Sequence, residues 1–188
     1  MITDKDRSYY IGASDTDKVV GPWTSKTWRL WWLQKLGKNK HQFENRFMKA
    51  GNCYEHRILL ALHIPGMRLD EQVIHENLRL RVNYDGCTEN CIFECKTFKF
   101  ENGFRLTPKI IHQVQVQMFA KGIRNAKVVA YGLLPEDYEN MERPVDPQRI
   151  QIFTVHYDEN WINTEYLPNL RVLAWHLKNG TTPPARYR

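Results

Sequence analysis

The sequence contains no long hydrophobic segment. Of its 188 residues 42% are hydrophobic and the mean hydropathy is -0.59, and no apolar run approaches the roughly 18 residues of a membrane-spanning helix. The first ten residues, MITDKDRSYY, are charged and polar, unlike a secretory signal. Four cysteines are too few to predict a disulfide scaffold in a chain of this size. We therefore expect a soluble, cytoplasmic protein.

The charge balance is a weaker indication of function. Lys and Arg total 27 against 21 Asp and Glu, which gives a formal net charge of +6. Such an excess suits a phosphate-rich partner such as nucleic acid, although many basic proteins bind none. The length suits one domain with its own hydrophobic core.

The apolar pattern predicts a mixed α/β domain with the element order α-α-β-β-β-α-β-β-α. Helices are predicted at 25–37, 45–66, 108–122 and 159–178, and strands at 68–76, 77–86, 91–98, 126–134 and 150–158. Within a single domain, 1–188, we expect a core at about 7–133, a polar linker at about 134–149, a C-terminal strand and helix at about 150–178, and a basic tail at 179–188.

One predicted strand, IFECKTF (92–98), is interrupted by charges. Because side chains alternate along a strand, Glu94 and Lys96 share one face and Cys95 points to the other. A hairpin would bring Asp85, which precedes the turn, close to Glu94. Two carboxylates in one place repel each other, and Mg²⁺ prefers such oxygen ligands. The segment therefore predicts a metal site for phosphodiester hydrolysis with Lys96 stabilising charge; the alternative is a solvated hairpin with an ordinary Glu–Lys pair.

The flanking helices add further candidates. Glu55 lies one turn after Gly51, and a glycine inside a helix costs about 1 kcal/mol, so close approach of a metal, a strand or a phosphate would explain it. Gln113 and Gln117 are neighbours on one face of the later helix and could hold a water or a nucleotide. The alternatives are a surface glutamate beside a chance glycine, and simple polar capping of the helix edge.

Three cysteines spaced by four, Cys87, Cys91 and Cys95, raise the question of a sulfur-bound metal. Zinc sites favour two to four residues between paired cysteines, so the spacing of Cys87 and Cys91 is compatible with zinc. Cys95, however, faces away from Glu94 and Lys96 on the predicted strand. We favour buried or hairpin thiols over a zinc ion or an iron–sulfur cluster.

Five segments in this order resemble the phage-type alkaline exonucleases, namely the YqaJ-like viral recombinases and the lambda exonuclease of the PD-(D/E)XK nuclease superfamily. The segments are RSYYIGASD, AGNCYEH, NYDG, FECKT and HQVQVQM, and together they span roughly 7–131. The resemblance implies a restriction-endonuclease-like core with a central mixed β-sheet flanked by helices. One departure is Tyr84, which stands where the superfamily has a proline before the first aspartate.

The resemblance also implies a metal centre. Asp85 and Glu94 would bind Mg²⁺, with Mn²⁺ as a substitute, and the backbone carbonyl of Cys95 would be a further ligand. Glu55 would complete the site through a second ion or its waters. Lys96 would be the catalytic lysine.

Further residues are implied for orientation and for DNA. Gln113 matches the family glutamine that is oriented toward the site. Gln117 lies one turn later on the same helix and would contact DNA. Arg7 and Ser14 match positions that hold a terminal 5′-phosphate, and Asn83 stands where that pocket has a serine. A guanidinium and short polar groups are suitable partners for a phosphate.

The implied function is a Mg²⁺-dependent exonuclease that acts on double-stranded DNA ends. It would digest 5′ to 3′ and leave 3′ single strands for a recombinase or a single-strand annealing protein, in a bacterium or a phage-infected host cell. A homotrimeric ring is implied by the resemblance, although this chain is shorter than the lambda enzyme. The alternatives are a restriction-like or structure-selective endonuclease of the same superfamily and a non-catalytic DNA-binding module.

Overall fold

Five strands form one mixed sheet at the centre of the protein. The computed structural model describes residues 8–39 and 45–186. The strands are β1 (Arg68–His75), β2 (Leu80–Cys87), β3 (Ile92–Lys99), β4 (Asn125–Leu133) and β5 (Ile150–His156), hydrogen-bonded in that order. β3 and β4 are parallel, and the other neighbouring strands are antiparallel. The predicted α/β class with a central mixed sheet is confirmed.

Helices cover both faces of the sheet. They are α1 (Thr16–Val20), α2 (Lys26–Lys35), α3 (Arg46–Leu60), α4 (Pro108–Lys121), α5 (Pro135–Glu139) and α6 (Leu167–Lys178), and α6 follows a single helical turn, Glu159–Trp161, and a π-helical turn, Ile162–Tyr166. Apolar residues of α1, α2, α4 and α6 form a core on one face. Apolar residues of α3 form a second core on the other face, against β3 and β4. The helices that flank the predicted metal site therefore lie on opposite sides of the sheet.

The boundaries of α4 follow from its sequence. The Thr107 hydroxyl accepts a hydrogen bond from the Ile110 N–H, and Pro108 occupies the first turn, where its missing N–H costs nothing. Gly122 ends the helix in the left-handed conformation, with a φ of 71°. Among the described residues, 8–39 and 45–186, no helix combines the length and the apolar character needed to cross a membrane.

Helix α3 ends earlier than its apolar pattern predicts. The sequence predicted a helix stopped by Pro65 and Gly66, whereas the helix ends at Leu60. His63 takes a left-handed backbone conformation, with a φ of 49°. Ile64 precedes Pro65, and the ring of a proline disfavours helical geometry in the residue before it. The chain therefore turns toward β1 before the proline is reached.

Strands β2 and β3 separate after a short contact. Their ladder contains only the pairs Gly86↔Phe93 and Cys87↔Ile92. At the start of β2, Leu80 instead forms an isolated bridge with Ile11 on the edge that faces away from β1. We call this opening between β2 and β3 the fork. It lies beside Asp85 and Glu94, the next two residues in the register.

The segment 134–149, predicted as a polar linker, contains α5 and a 3₁₀ turn, Pro147–Arg149. Asp137 is fully buried and pairs with the guanidinium of Arg149, which also donates to the Gly132 carbonyl at 3.1 Å. This segment therefore packs against the end of β4.

Candidate active site

The carboxylate of Asp85 occupies the fork. Its Oδ2 accepts a hydrogen bond from the backbone N–H of Cys95 at 2.7 Å, in the place where a regular ladder would continue. In a strand, the N–H and C=O of one residue point to the same neighbouring strand. The carbonyl of Cys95 therefore points toward the fork as well. The fork exposes a carboxylate and a backbone carbonyl to the same space.

Glu94 lies on the α4 side of the fork and is 2% exposed. Its Oε1 accepts from the amide of Gln113 at 2.5 Å and from the ammonium of Lys96, and its Oε2 accepts from the amide of Gln117. Three donors from two elements therefore fix the position of this carboxylate. The predicted orientation of Gln113 toward Glu94 agrees with this arrangement.

Gln117 does not lie where the sequence placed it. It was predicted to contact DNA, but its side chain is 1% exposed and lies beneath Glu94. The reason is that Gln117 is on the face of α4 that packs against the sheet, one turn deeper than Gln113. Its contact with Glu94 makes it a positioning residue for that carboxylate.

Glu55 approaches from α3 on the other side of the sheet. It lines a groove together with Lys96, Cys95, Thr97 and Gly51. A Cβ on Gly51 would lie 3.1 Å from the Thr97 hydroxyl oxygen, so close packing of α3 on β3 explains this glycine. Of the four explanations that the sequence left open, namely a metal, a strand, a phosphate or a chance glycine, the contact supports the neighbouring strand.

The charges of the four groups are unbalanced. Burial raises the pKa of Asp85 well above its usual range, and the charges of Glu94 and Glu55 raise it further. Burial also raises the pKa of Glu55, followed by the charge of Glu94. Burial would lower the pKa of Lys96, but the charge of Glu94 and its hydrogen bond raise it overall. Three carboxylates and one ammonium leave about two negative charges in a partly buried space, and a divalent cation fits this donor set.

A second group of candidate ligands lies beside Glu55. One ligand atom each from Glu55, His56 and Asp70 lie within 4.8 Å of one another, and the His56 ring contacts Asp70 at 3.0 Å. Asp70 has a φ of 56°, which interrupts β1 opposite Asp85. His56 and Asp70 were not predicted as site residues, because a left-handed residue inside a strand has no clear sequence signal.

Of the residues predicted for a 5′-phosphate, Arg7 lies outside the described residues, and the other two lie on β2 or beside it. Ser14 is exposed in the 3₁₀ turn that precedes α1, close to the first residues of β2. Asn83 lies on β2 and accepts a hydrogen bond from the Gln72 amide at 2.8 Å. Arg81 shares the face of Asn83, and its guanidinium lies 5.3 Å from the Tyr10 ring centre. Arg81 was not among the predicted site residues.

The cysteines are free thiols in different surroundings. Cys87 donates to the Glu71 carboxylate at 3.1 Å and lies 3.1 Å from the Lys121 ammonium, near the end of α4. Cys95 belongs to the core beneath α3. Cys87 and Cys95 therefore lie on opposite faces of the sheet and cannot share one ion.

Solved structures match this chain, whereas no protein-family model and no curated protein does. The alkaline exonuclease from Laribacter hongkongensis matches with a TM-score of 0.68 at 18% identity, over 93% of this chain and 91% of that chain. The same exonuclease in complex with dAMP matches with a TM-score of 0.67. A phage-related exonuclease from Haemophilus somnus matches with a TM-score of 0.64 at 14% identity, over 94% of this chain and 98% of that chain. At these identities the likeness establishes the fold, and the predicted resemblance to phage-type alkaline exonucleases is confirmed at that level.

Proposed function

We propose that this protein is a Mg²⁺-dependent exonuclease that hydrolyses double-stranded DNA from its ends. The convergence of Asp85, Glu94, Lys96 and Glu55 at the fork carries the proposal, since a fold alone does not determine an activity. Two exonucleases that share this fold over almost the whole chain support it. We infer digestion from 5′ to 3′, which would leave 3′ single strands for recombination or repair.

The metal would be held by oxygen atoms. Asp85, Glu94 and the backbone carbonyl of Cys95 are the proposed ligands of one Mg²⁺, with Mn²⁺ as a substitute. Glu55 would hold a second ion, and His56 and Asp70 are close enough to join it. When bound, the metal supplies Lewis-acid chemistry for the attack of water on a phosphodiester.

The protein groups would contribute orientation and charge. Lys96 holds its ammonium beside Glu94, where it would stabilise negative charge that develops on the phosphate. Gln113 and Gln117 donate to the two oxygens of Glu94 and would hold this proposed ligand in one orientation. Burial and then the neighbouring carboxylates raise the pKa of Asp85 and of Glu55, and a bound cation would offset both effects.

The DNA end would lie along the half-buried face of β2 that carries Arg81 and Asn83. Ser14 and Asn83, together with Arg7, are the proposed partners of a terminal 5′-phosphate, and Arg81 extends this basic and polar surface. We further propose that the protein acts in the cytoplasm of a bacterium or a phage-infected cell, with a single-strand annealing protein as partner and a homotrimer as its assembly.

Digestion of end-labelled linear duplex tests the activity. With Mg²⁺, the wild type should release label from 5′ ends before 3′ ends, and EDTA or Lys96→Ala should abolish release. The matched control is Lys109→Ala, which should keep full activity. Lys109 is an exposed lysine on α4 that pairs with Asp17. Equal rates for Lys96→Ala and wild type would remove the proposed mechanism.

Two substrate comparisons refine this test. Closed circular DNA should remain intact, and its cleavage would identify an endonuclease instead. Duplex with a 5′-phosphate should be digested faster than duplex with a 5′-hydroxyl. Equal rates on these two ends would remove Ser14 and Asn83 from the phosphate pocket.

A further inference from the structure

A cavity of about 470 Å³ lies at the end of β3, where α3 begins and α5 follows β4. It is a different space from the groove that contains Glu55 and Lys96, but Phe47 lines both. Lys99, in the cavity wall, is three residues beyond Lys96 on β3. At about 3.3 Å per residue, the cavity begins roughly 10 Å from the catalytic lysine. A flexible strand passing over the groove could reach it.

The walls of this cavity are aromatic and remain accessible. The Phe47 side chain is 50% exposed and meets the Tyr138 ring edge-on, with 5.3 Å between the ring centres. Phe100 is 49% exposed, and its ring lies 2.6 Å from where Gly132 would carry a Cβ. Because Gly132 has no side chain, the Phe100 ring packs directly against the backbone of β4. Exposed aromatic rings in fixed positions are the surfaces on which nucleobases stack.

Two cations accompany these rings. The guanidinium of Arg46 lies 5.9 Å from the Tyr138 ring centre, and the ammonium of Lys99 lies 5.3 Å from the Phe47 ring centre. Glu101 and Glu139 also line the cavity, and the Lys99 ammonium lies 4.0 Å from the Glu101 carboxylate. Each of the two rings still has a cation beside it, so an occupant with a flat apolar part and a negative charge next to it matches these pairs of ring and cation. A nucleotide has both features.

We propose that this cavity binds one nucleobase of a single strand that extends from the catalytic groove, with the adjoining phosphate between Arg46 and Lys99. The inference rests on the proposed function, because the strand is supplied by the groove. The base would stack on Phe47 and lie against Tyr138 and Phe100. This contact is independent of base identity, since every base has a π-face. The cavity would hold the strand between successive cleavage events.

Binding of a single-stranded oligonucleotide that contains one 2-aminopurine tests the proposal, in EDTA so that cleavage is excluded. The wild type should bind the oligonucleotide and quench its fluorescence. Phe47→Ala should weaken binding at least about tenfold and remove the quench, and Phe47→Trp should restore both. Trp175→Ala removes a comparably exposed aromatic ring on α6, 59% exposed, and should change neither.

A second pair of variants keeps the proposal testable if Phe47→Ala does not fold. Arg46→Gln and Lys99→Gln should each flatten the dependence of affinity on salt concentration, because each removes about one phosphate contact. Unchanged affinity and unchanged quench in Phe47→Ala would overturn the proposal. The proposal would also be overturned if Phe47→Ala lost self-association without any change in oligonucleotide binding. That result would assign the cavity to a second copy of the chain.

The outcome can be separated from that of the proposed function. Cleavage of linear duplex by the wild type is measured with Mg²⁺ in a parallel assay. Cleavage together with Phe47-independent binding would remove only the cavity. Phe47-dependent binding without any cleavage would remove the proposed function and leave a single-strand-binding cavity.

Discussion

Asp85 and Cys95 are joined by a hydrogen bond from a backbone N–H to a carboxylate oxygen, 2.7 Å long, at the point where β2 and β3 part. A side chain thereby takes the place of a backbone carbonyl in the ladder. This contact holds Asp85 in the fork while leaving its second oxygen for another partner. It also fixes the peptide whose carbonyl is a proposed metal ligand.

Replacing Asp85 by Asn should stabilise the metal-free protein. Burial, and then the charges of Glu94 and Glu55, raise the pKa of Asp85 in the folded state. The folded protein is therefore most stable when Asp85 is protonated, and it loses this stability as pH rises from the usual range of an aspartate through the raised pKa. We expect the melting temperature in EDTA at pH 7 to rise by about 2–4 °C, which corresponds to about 1 kcal/mol. Mg²⁺ should then raise the melting temperature of the wild type and not that of Asp85→Asn. A lower melting temperature for the variant in EDTA would contradict this.

Replacing Gln117 by Leu should weaken metal binding. The amide of Gln117 holds one oxygen of Glu94, and loss of such a supporting contact typically costs about 10–100-fold in metal affinity or activity. The measurement is the Mg²⁺ concentration that gives half-maximal nuclease activity. Gln115→Leu is the matched control, since Gln115 is buried on the same helix but bonds to the backbone of His156 and Asp158. It should lower the melting temperature and leave the Mg²⁺ requirement unchanged.

Introducing a side chain at Gly51 should separate α3 from β3. Gly51→Val would press on the Thr97 hydroxyl, which already lies 3.1 Å from a Cβ position. Overpacking of this kind costs about 1–3 kcal/mol of unfolding free energy. Urea denaturation of Gly51→Val, Thr97→Ala and the double variant measures the coupling between the two positions. A double variant as unstable as the sum of the single variants would show that Thr97 is not the obstacle.

Glu71 should make the protein sensitive to acid. Hydrogen bonds from Lys121, Cys87 and Arg68 lower the pKa of Glu71 to about 2. Since the pKa is lower in the folded than in the unfolded state, the contribution of Glu71 is present above its usual range, near 4.5, and is lost as pH falls toward 2. The unfolding free energy of Glu71→Gln should therefore fall less steeply than that of the wild type over this window, as measured by urea titrations. Parallel curves for the two proteins would exclude this role.

Much of the site follows from local sequence, because strand periodicity and one turn are sufficient to bring Asp85, Glu94 and Lys96 together. Helix spacing placed Gln113 and Gln117 on one face of α4, and the orientation of Gln113 toward the site was implied by the family resemblance. The burial of the Gln117 side chain was not predictable, since it depends on how closely α4 packs against the sheet. The approach of Asp70 to His56 depends on a left-handed residue in β1.

The aromatic cavity shows a different limit. Phe47 and Tyr138 are distant in sequence, and neither belongs to a recognisable motif. They meet because α3 and α5 both pack beside β4, through the segment that the sequence suggested was only a linker. The buried pair of Asp137 and Arg149 anchors that segment, and its composition concealed this role.

The short ladder between β2 and β3 leaves most of the junction between the two parts of the sheet to side-chain packing. Only two residue pairs join the strands, whereas Val82 and Tyr84 of β2 belong to the same buried core as Val114 of α4 and Val128 of β4. The hairpin of β1 and β2 is therefore held beside β3 mainly by α4, which packs across both parts of the sheet. The position of Asp85 relative to the rest of the acidic cluster thus depends on the same apolar core that stabilises the fold.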